Sequence, residues 1–238
     1  MKSLFILLIL IGFTEDIYSQ KQTDTQSLLW IRYSFNLKMN KKWEIKQELE
    51  ERAYWFPWRQ HQFLSRTSLN RKLNNGWNTA IGFTYLRQSL PHNPFVNEIT
   101  NTSELRPQIE LGYKQKISDH FSTGHRYWSE FRFIEQANNQ LEFENIRMRY
   151  RLELQYLLSN KVTLKGFDEI FLNVGNKIVY NVFDQNRYGA SVQYMPINNF
   201  GFEIGYFNWF QQKKSGNEFY NRNIVRFTVF HNIALNKT

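Results

Sequence analysis

The residues of this 238-residue chain that could do chemistry are mostly arginines and glutamates, and they recur at every second position. Arg147, Arg149, Arg151 and Glu153 alternate with Ile146, Met148, Tyr150, Leu152 and Leu154. The same beat runs through Glu44, Lys46, Glu48, Glu50 and Arg52, and through Arg126, Glu130 and Arg132. Successive side chains of a β-strand point to opposite faces, so each run puts its charges on one face and its apolar groups on the other. Glu48, Arg126, Glu130, Arg132, Arg147, Arg149, Arg151, Glu153, Asp168, Glu169 and Arg187 are therefore expected to form one polar network. Arg32, Arg106, Glu110, Lys114, Lys165, Glu203 and Arg226 continue it. Such a set can serve as an ion-paired core that fills a narrow barrel with its own side chains, or as an arginine-lined path that grips anions with bidentate guanidinium contacts. So many opposite charges in a small lumen favour the first. Asp168 and Glu169 are adjacent and face opposite ways, so they are not a paired acid and base; one is expected in the lumen and the other near a rim or bulge.

Other chemistries find less support. A lipase on the outer wall of a barrel needs a nucleophile and a base within hydrogen-bond reach. His125 and Ser129 share a face but stand four residues apart, roughly 13 Å along a strand, and His61 with Ser65 fails in the same way. His120 and Ser122 lie closer but fall in a short turn. The five histidines, His61, His92, His120, His125 and His231, match no metal-ligand spacing. There is no glycine-rich phosphate loop, and no cofactor is implied. The chain reads as non-enzymatic.

The elements that must position the charges are long strands. Alternation marks them near 28 to 38, 43 to 52, 59 to 73, 77 to 88, 104 to 117, 121 to 136, 144 to 158, 162 to 174, 185 to 196, 200 to 211 and 222 to 235. Many exceed the roughly 5 to 6 residues of a globular strand and fit a tilted strand that crosses a bilayer. Tight turns at Asn40-Lys41-Lys42, Asn74-Asn75-Gly76, Ser118-Asp119-His120, Ser159-Asn160-Lys161 and Ile197-Asn198-Asn199 alternate with longer loops such as Leu90 to Ser103 and Gln212 to Asn221. Short turns on one rim and long loops on the other are the habit of outer-membrane barrels. Eleven segments sit awkwardly with the even numbers of bacterial barrels. Ten or twelve strands are the candidates, unless the first segment enters from the opposite side.

Composition agrees. Lys2 followed by an apolar run from Leu4 to Phe13 and a polar stretch to Ser19 reads as a secretory signal peptide over 1–19, leaving residues 20–238 as one barrel domain. Mean hydropathy is -0.57, and no later run is apolar enough for a helical span, whereas a barrel strand needs an apolar residue only at alternate positions. With no cysteine, the chain has neither disulfides nor thiolate metal sites. The net charge of +9 is spread through strands and interleaved with acids, which argues against nucleic acid as a partner. Aromatic residues make up 17% of the chain, and Trp30, Trp43, Trp77, Tyr113, Tyr188, Tyr194 and Trp209 are expected near strand ends or on outward faces, where tryptophan and tyrosine suit a bilayer interface. Outer-membrane lipid is then the main partner. Trp55-Phe56-Pro57-Trp58, Lys213 and Lys214 on the loops are candidate contacts for a protein or glycan, with interface girdle the simpler use of the aromatic four.

Phe167-Asp168-Glu169-Ile170-Phe171-Leu172-Asn173-Val174-Gly175, followed by Phe183-Asp184-Gln185-Asn186-Arg187, resembles the bacterial exported family called domain of unknown function 2490. His125-Arg126-Tyr127 with Glu130 and Arg132, and Gly205-Tyr206 with Asn208, resemble it too, so that the likeness spans essentially the whole mature chain. The resemblance implies a β-barrel-like outer-membrane protein of Gram-negative bacteria and brings no activity, substrate or cofactor. Barrels of this kind often finish on an aromatic residue; here Phe230 is followed by His231 to Thr238. The expectation is an all-β, antiparallel up-and-down transmembrane barrel of about 10 to 12 strands with a charged, largely occluded lumen. A small-solute or anion pore, an outer-membrane lipase and a soluble periplasmic β-protein are the alternatives.

Overall fold

The computed structural model describes residues 21–235, so the leader expected over residues 1–19 lies outside the described residues. Eleven strands follow in chain order: β1 (Gln22–Lys38), β2 (Trp43–Tyr54), β3 (Arg59–Lys72), β4 (Trp77–Leu90), β5 (Thr100–Lys116), β6 (Phe121–Glu135), β7 (Leu141–Leu157), β8 (Val162–Val174), β9 (Phe183–Ile197), β10 (Phe200–Gln212) and β11 (Glu218–Ala234). Each pairs antiparallel with the next, and the sheet closes into a barrel when β11 meets β1 in parallel, in register from Gln22 with Glu218 to Lys38 with Ala234. The eleven segments read from alternation are eleven strands, within the expected 10 to 12, and the odd count is met because the first strand enters from the opposite rim. With an odd number of up-and-down strands the first and last run the same way, so only a parallel pair can close the cylinder.

The connections sort by rim. Residues 39–42, 73–76, 117–120, 158–161 and 198–199 make short turns at one end, while 55–58, 91–99, 136–140, 175–182 and 213–217 make the generally longer connections at the other. The turn at Gly76 shows how tightly the first rim is built. Gly76 has φ of +83°, and its carbonyl accepts from the Lys114 amide at 2.9 Å. A Cβ there would sit 2.3 Å from the Lys114 carbonyl oxygen, so glycine is required twice over.

The two faces divide as the alternation demands. Ile31, Tyr33, Leu49, Ile81, Phe83, Ile109, Met148, Ile170, Val192 and Ile204 stand exposed on the outer wall. Inside, Glu104, Glu130 and Thr84 are fully buried together with Leu28, Trp30 and Ile224. A barrel of about eight strands is just filled by ordinary side chains, and larger ones open a channel unless something bulky occupies it. Eleven strands need long side chains to close the gap, and arginine and tryptophan are the longest and broadest available.

This corrects two tryptophan placements. Trp30 and Trp209 are not girdle residues: 1% and 3% exposed, they lie inside the barrel with Phe167, Phe207 and Ile224. Trp30 meets Phe207 at 5.0 Å and Trp209 at 5.8 Å, both edge to face, geometries that aromatic quadrupoles prefer. Trp77 and Tyr113 do stand on the outer wall, 4.8 Å apart, and Tyr113 continues to His125 and His125 to Tyr150, each at 6.2 Å.

The interior aromatic packing depends on a missing side chain. Gly189 on β9 faces Phe207 on β10 directly, and a Cβ there would fall 2.3 Å from both the Phe207 Cβ and the Tyr206 carbonyl oxygen. Because the obstruction is backbone and Cβ, no rotamer change relieves it. Gly189→Ala is expected to lower stability by about 1–3 kcal/mol, the usual cost of overpacking. A reduced thermal midpoint for loss of the fast-migrating folded band on gels would show it, and an unchanged midpoint would mean that the β9–β10 pairing is loose.

Candidate functional site

The lumen is organised around carboxylates, each surrounded by guanidinium groups. Glu169 on β8 accepts from Arg149 Nε and Nη2 at 3.0 and 2.7 Å and from Arg126 Nη2 at 3.0 Å, with Arg151 Nη1 at 3.7 Å. Glu130 on β6 accepts from Arg149 Nη1 at 3.1 Å, with Arg106 and Arg147 at 3.8 and 3.9 Å. Glu104 on β5 is held by forks from both Arg106, at 2.7 and 2.9 Å, and Arg132, at 2.5 and 3.1 Å. Glu48 on β2 gathers Arg32, Lys46 and Arg66 within 3.2 Å. Arg151 also donates to Glu153 at 2.5 Å, and Lys165 and Arg226 share Glu203. Arginine's planar fork suits such multiple contacts, each stronger than a neutral hydrogen bond.

Aromatic faces carry the rest of the positive charge. Arg149 lies between Trp128 at 3.8 Å and Phe171 at 4.3 Å, Arg52 lies 3.8 Å from Trp30, and Arg151 lies 3.8 Å from Phe167. These contacts fix guanidinium planes that ion pairing alone would leave free to rotate.

Of the eleven residues expected in the polar network, ten line the lumen or belong to its ion pairs. Asp168 does not. It is exposed on the outer wall at the middle of β8, where Asn186 Nδ2 donates to its Oδ1 at 2.6 Å. The strict period of two turns it outward because Glu169 beside it turns inward, and the partial bulge or rim position expected for one of the pair is replaced by an ordinary outward one. Arg187 is inside, yet among the described residues it has no carboxylate within 4.0 Å, although Glu169 is its neighbour across the β8–β9 pairing. The two segments that carry the family resemblance, on β8 and β9, thus form one patch of the lumen wall.

A cavity of about 280 Å³ remains in the middle of the lumen, bounded by Arg126, Arg149, Arg187, Glu169, Trp128 and Phe171 among others. A pocket of about 470 Å³ under the longer loops shares Arg147 with it, and a third of about 170 Å³ toward the short turns shares Arg126, Arg151 and Glu153.

A histidine cluster at the long-loop end escaped sequence reasoning. His61 on β3, fully buried, packs 4.9 Å from Tyr54, 5.1 Å from His92 and 6.1 Å from Trp209, and His92 reaches Tyr220 at 5.9 Å. The loop that bears His92 is held by Arg59, which donates to the carbonyls of Pro91 at 2.9 Å, Val96 at 3.1 Å and Asn93. Only tertiary folding brings positions 61 and 92 together, so no spacing in the sequence could have signalled it. Among the described residues no group of His, Asp, Glu or Cys is arranged to hold a metal. The loop lysines expected as partner contacts make ion pairs at the long-loop rim: Lys213 with Asp24 and Glu218, and Lys214 with Glu144.

Fold and site together define a closed up-and-down β-barrel whose interior is filled by ion pairs and aromatic rings. Among solved structures it is similar to the NanC porin in a rhombohedral crystal form, with a TM-score of 0.52 and 12% sequence identity over 86% of this chain and 97% of that one. Residues 28–220 match the family described as Protein of unknown function (DUF2490), and the chain belongs to that family. No curated protein matches it.

Two outcomes follow from the electrostatics. Glu169→Gln leaves Arg126 without a carboxylate and takes one of two from Arg149, and breaking a buried pair from one side costs about 3–5 kcal/mol; the thermal midpoint of the folded band should fall sharply, and a shift no larger than that of a surface substitution would mean the network is wet and loose. His92 is pushed down to about 3 by burial first, and then by Arg222, Arg59 and Lys213. A histidine with a lowered folded value binds fewer protons docked than free, so the docked loop is fully stable above about pH 6.5 and loses stability as pH falls toward 3. A spin label on Phe95→Cys, unique in a cysteine-free chain, should become more mobile between pH 7 and pH 4. The change should shrink in the His92→Gln background; equal mobility at both pH values would show that the loop is held without regard to His92.

Proposed function

We propose that this protein is a non-enzymatic outer-membrane β-barrel whose lumen is closed by its own side chains at rest. The observation that carries the reading is the inversion of the usual arrangement: charges fill the interior and a largely apolar surface faces out. In water that outer wall would cost free energy over its whole area, whereas lipid accommodates it. Export rests on the leader read over residues 1–19 of the sequence, and residence in the outer membrane is supported by that wall and by the division of the connections into a short-turn and a long-loop rim. Against catalysis, His125 bonds Tyr150 at 2.9 Å and the Ser129 hydroxyl bonds the Met148 sulfur at 3.3 Å, so the outer-wall histidine and serine serve separate partners.

An anion pore is the second reading, favoured by one observation: the residues shared between successive pockets are Arg147 at one junction and Arg126, Arg151 and the single acid Glu153 at the other, an excess of arginine. Refolded protein, checked by heat-modifiable migration, is to be tested in a planar bilayer. Folded protein that gives no stable current steps is the expected result. Stable open channels would overturn closure, and their preference for anions over cations would then establish the second reading.

A further inference from the structure

We propose that the central cavity is a binding site for a small oxyanion, a carboxylate or phosphate group, received by Arg187. Eleven side chains around this cavity are Arg or Lys and five are Glu. Each of the five is already engaged by at least one cation within hydrogen-bond distance. Glu104, Glu130 and Asp184, just beyond the lining, pair with Arg106, Arg149 and Arg147, and the balance around the cavity is still positive.

Arg187 is where that surplus is least satisfied. Its guanidinium makes no ion pair and no hydrogen bond among the described residues, and its Nε is buried without a partner. Glu169 beside it has turned its carboxylate to Arg126 and Arg149. The other strong charges bearing on Arg187 are Arg52, Arg149 and Arg147, all repulsive. What holds it is aromatic: Trp209 at 4.4 Å, Phe171 at 4.9 Å and Trp30 at 5.4 Å. Three rings fix the position of the guanidinium without neutralising it, and a half-buried charge without a counter-charge is unfavourable. The planar fork is matched by two oxygens of a carboxylate or phosphate. About 280 Å³ admits such a group on a compact solute and is too small for an extended ligand. Arg147, paired with Asp184 at 3.0 Å, marks the junction with the pocket toward the long loops.

The site depends on the barrel reading but not on closure of the lumen. The refolded chain in detergent is to be titrated with inorganic phosphate and, separately, with acetate, at constant ionic strength set by sodium chloride, with thermal midpoint and calorimetric heat as readouts. A saturable rise in midpoint and saturable heat with either oxyanion is expected. A response to phosphate alone would assign a phosphoryl ligand, and a response to acetate alone a carboxylate. Arg187→Gln should weaken the response at least tenfold, while its midpoint without oxyanion is equal to or above that of the parent, because an uncompensated charge has been removed. Arg187→Lys, which keeps the charge and loses the fork, should respond weakly, and it supplies the test if the glutamine variant does not fold. No saturable response in the parent chain overturns the proposal, and so does an equal response in the variants, which would mark a general salt effect. Bilayer currents are read separately, so open channels would remove closure and leave this site standing.

Discussion

The pairing of buried carboxylates with two or three guanidiniums each is the constraint on which the rest of this barrel depends. A lone carboxylate at the position of Glu104 or Glu130, both fully buried, would be strongly unfavourable, and so would the arginines around it. Together they form a mesh in which most members touch more than one partner: Arg149 bridges Glu130 to Glu169, Arg106 bridges Glu104 to Glu130, and Arg32 bridges Glu48 to Glu50. These residues come from β1, β2, β5, β6, β7 and β8, and their ion pairs join neighbouring or next-but-one strands along the wall, while Arg66 of β3, 4.5 Å from Trp128 of β6, reaches across the lumen. Replacing such a mesh with apolar side chains can stabilise a soluble core. In a barrel with an apolar outside, that replacement would erase the difference between faces that sets strand register.

Closure follows from counting. An odd number of up-and-down strands leaves β1 and β11 parallel, and the chain enters the barrel at the rim of longer loops and leaves it at the rim of short turns. Parallel pairing is slightly weaker per residue than antiparallel pairing. Here it extends over the full length of both strands, from Gln22 to Lys38. Trp30 on β1 and Arg226 on β11 are direct neighbours across the seam, so the seam also carries lumen packing. Tyr33 Oη and His231 Nδ1, 2.9 Å apart, add a side-chain bond on its outer surface.

The strands, their faces and most of the charged network were legible because a period of two is unambiguous wherever charges and apolar residues alternate. It failed where the alternation lapses. Leu28-Leu29-Trp30-Ile31 is apolar at four successive positions, so the phase cannot be read there and Trp30 looks like a girdle residue until it is noticed that Arg32, two positions on, points inward. Trp209 shares its phase with the inward Glu203 in the same way. Asp168 was misplaced for the opposite reason, its charge having suggested the lumen while its parity required the wall. The parallel seam and the His61–His92 contact were out of reach altogether, since parity orders residues within a strand and does not say which distant strand or loop lies beside it.

The lumen holds two kinds of arginine, and they differ in what they can still do. Arg149 and Arg106 spend their donors on carboxylates, so an incoming anion would have to displace a bound side chain from them. Arg187 meets rings instead, and rings occupy the face of a guanidinium rather than its edge. Its donors point along the plane of the group and stay free for a ligand. Glu169 and Arg187 are cross-strand neighbours, yet the carboxylate is drawn away by the arginines of β6 and β7. The same crowd of cations that draws in the Glu169 carboxylate is what leaves Arg187 without a partner.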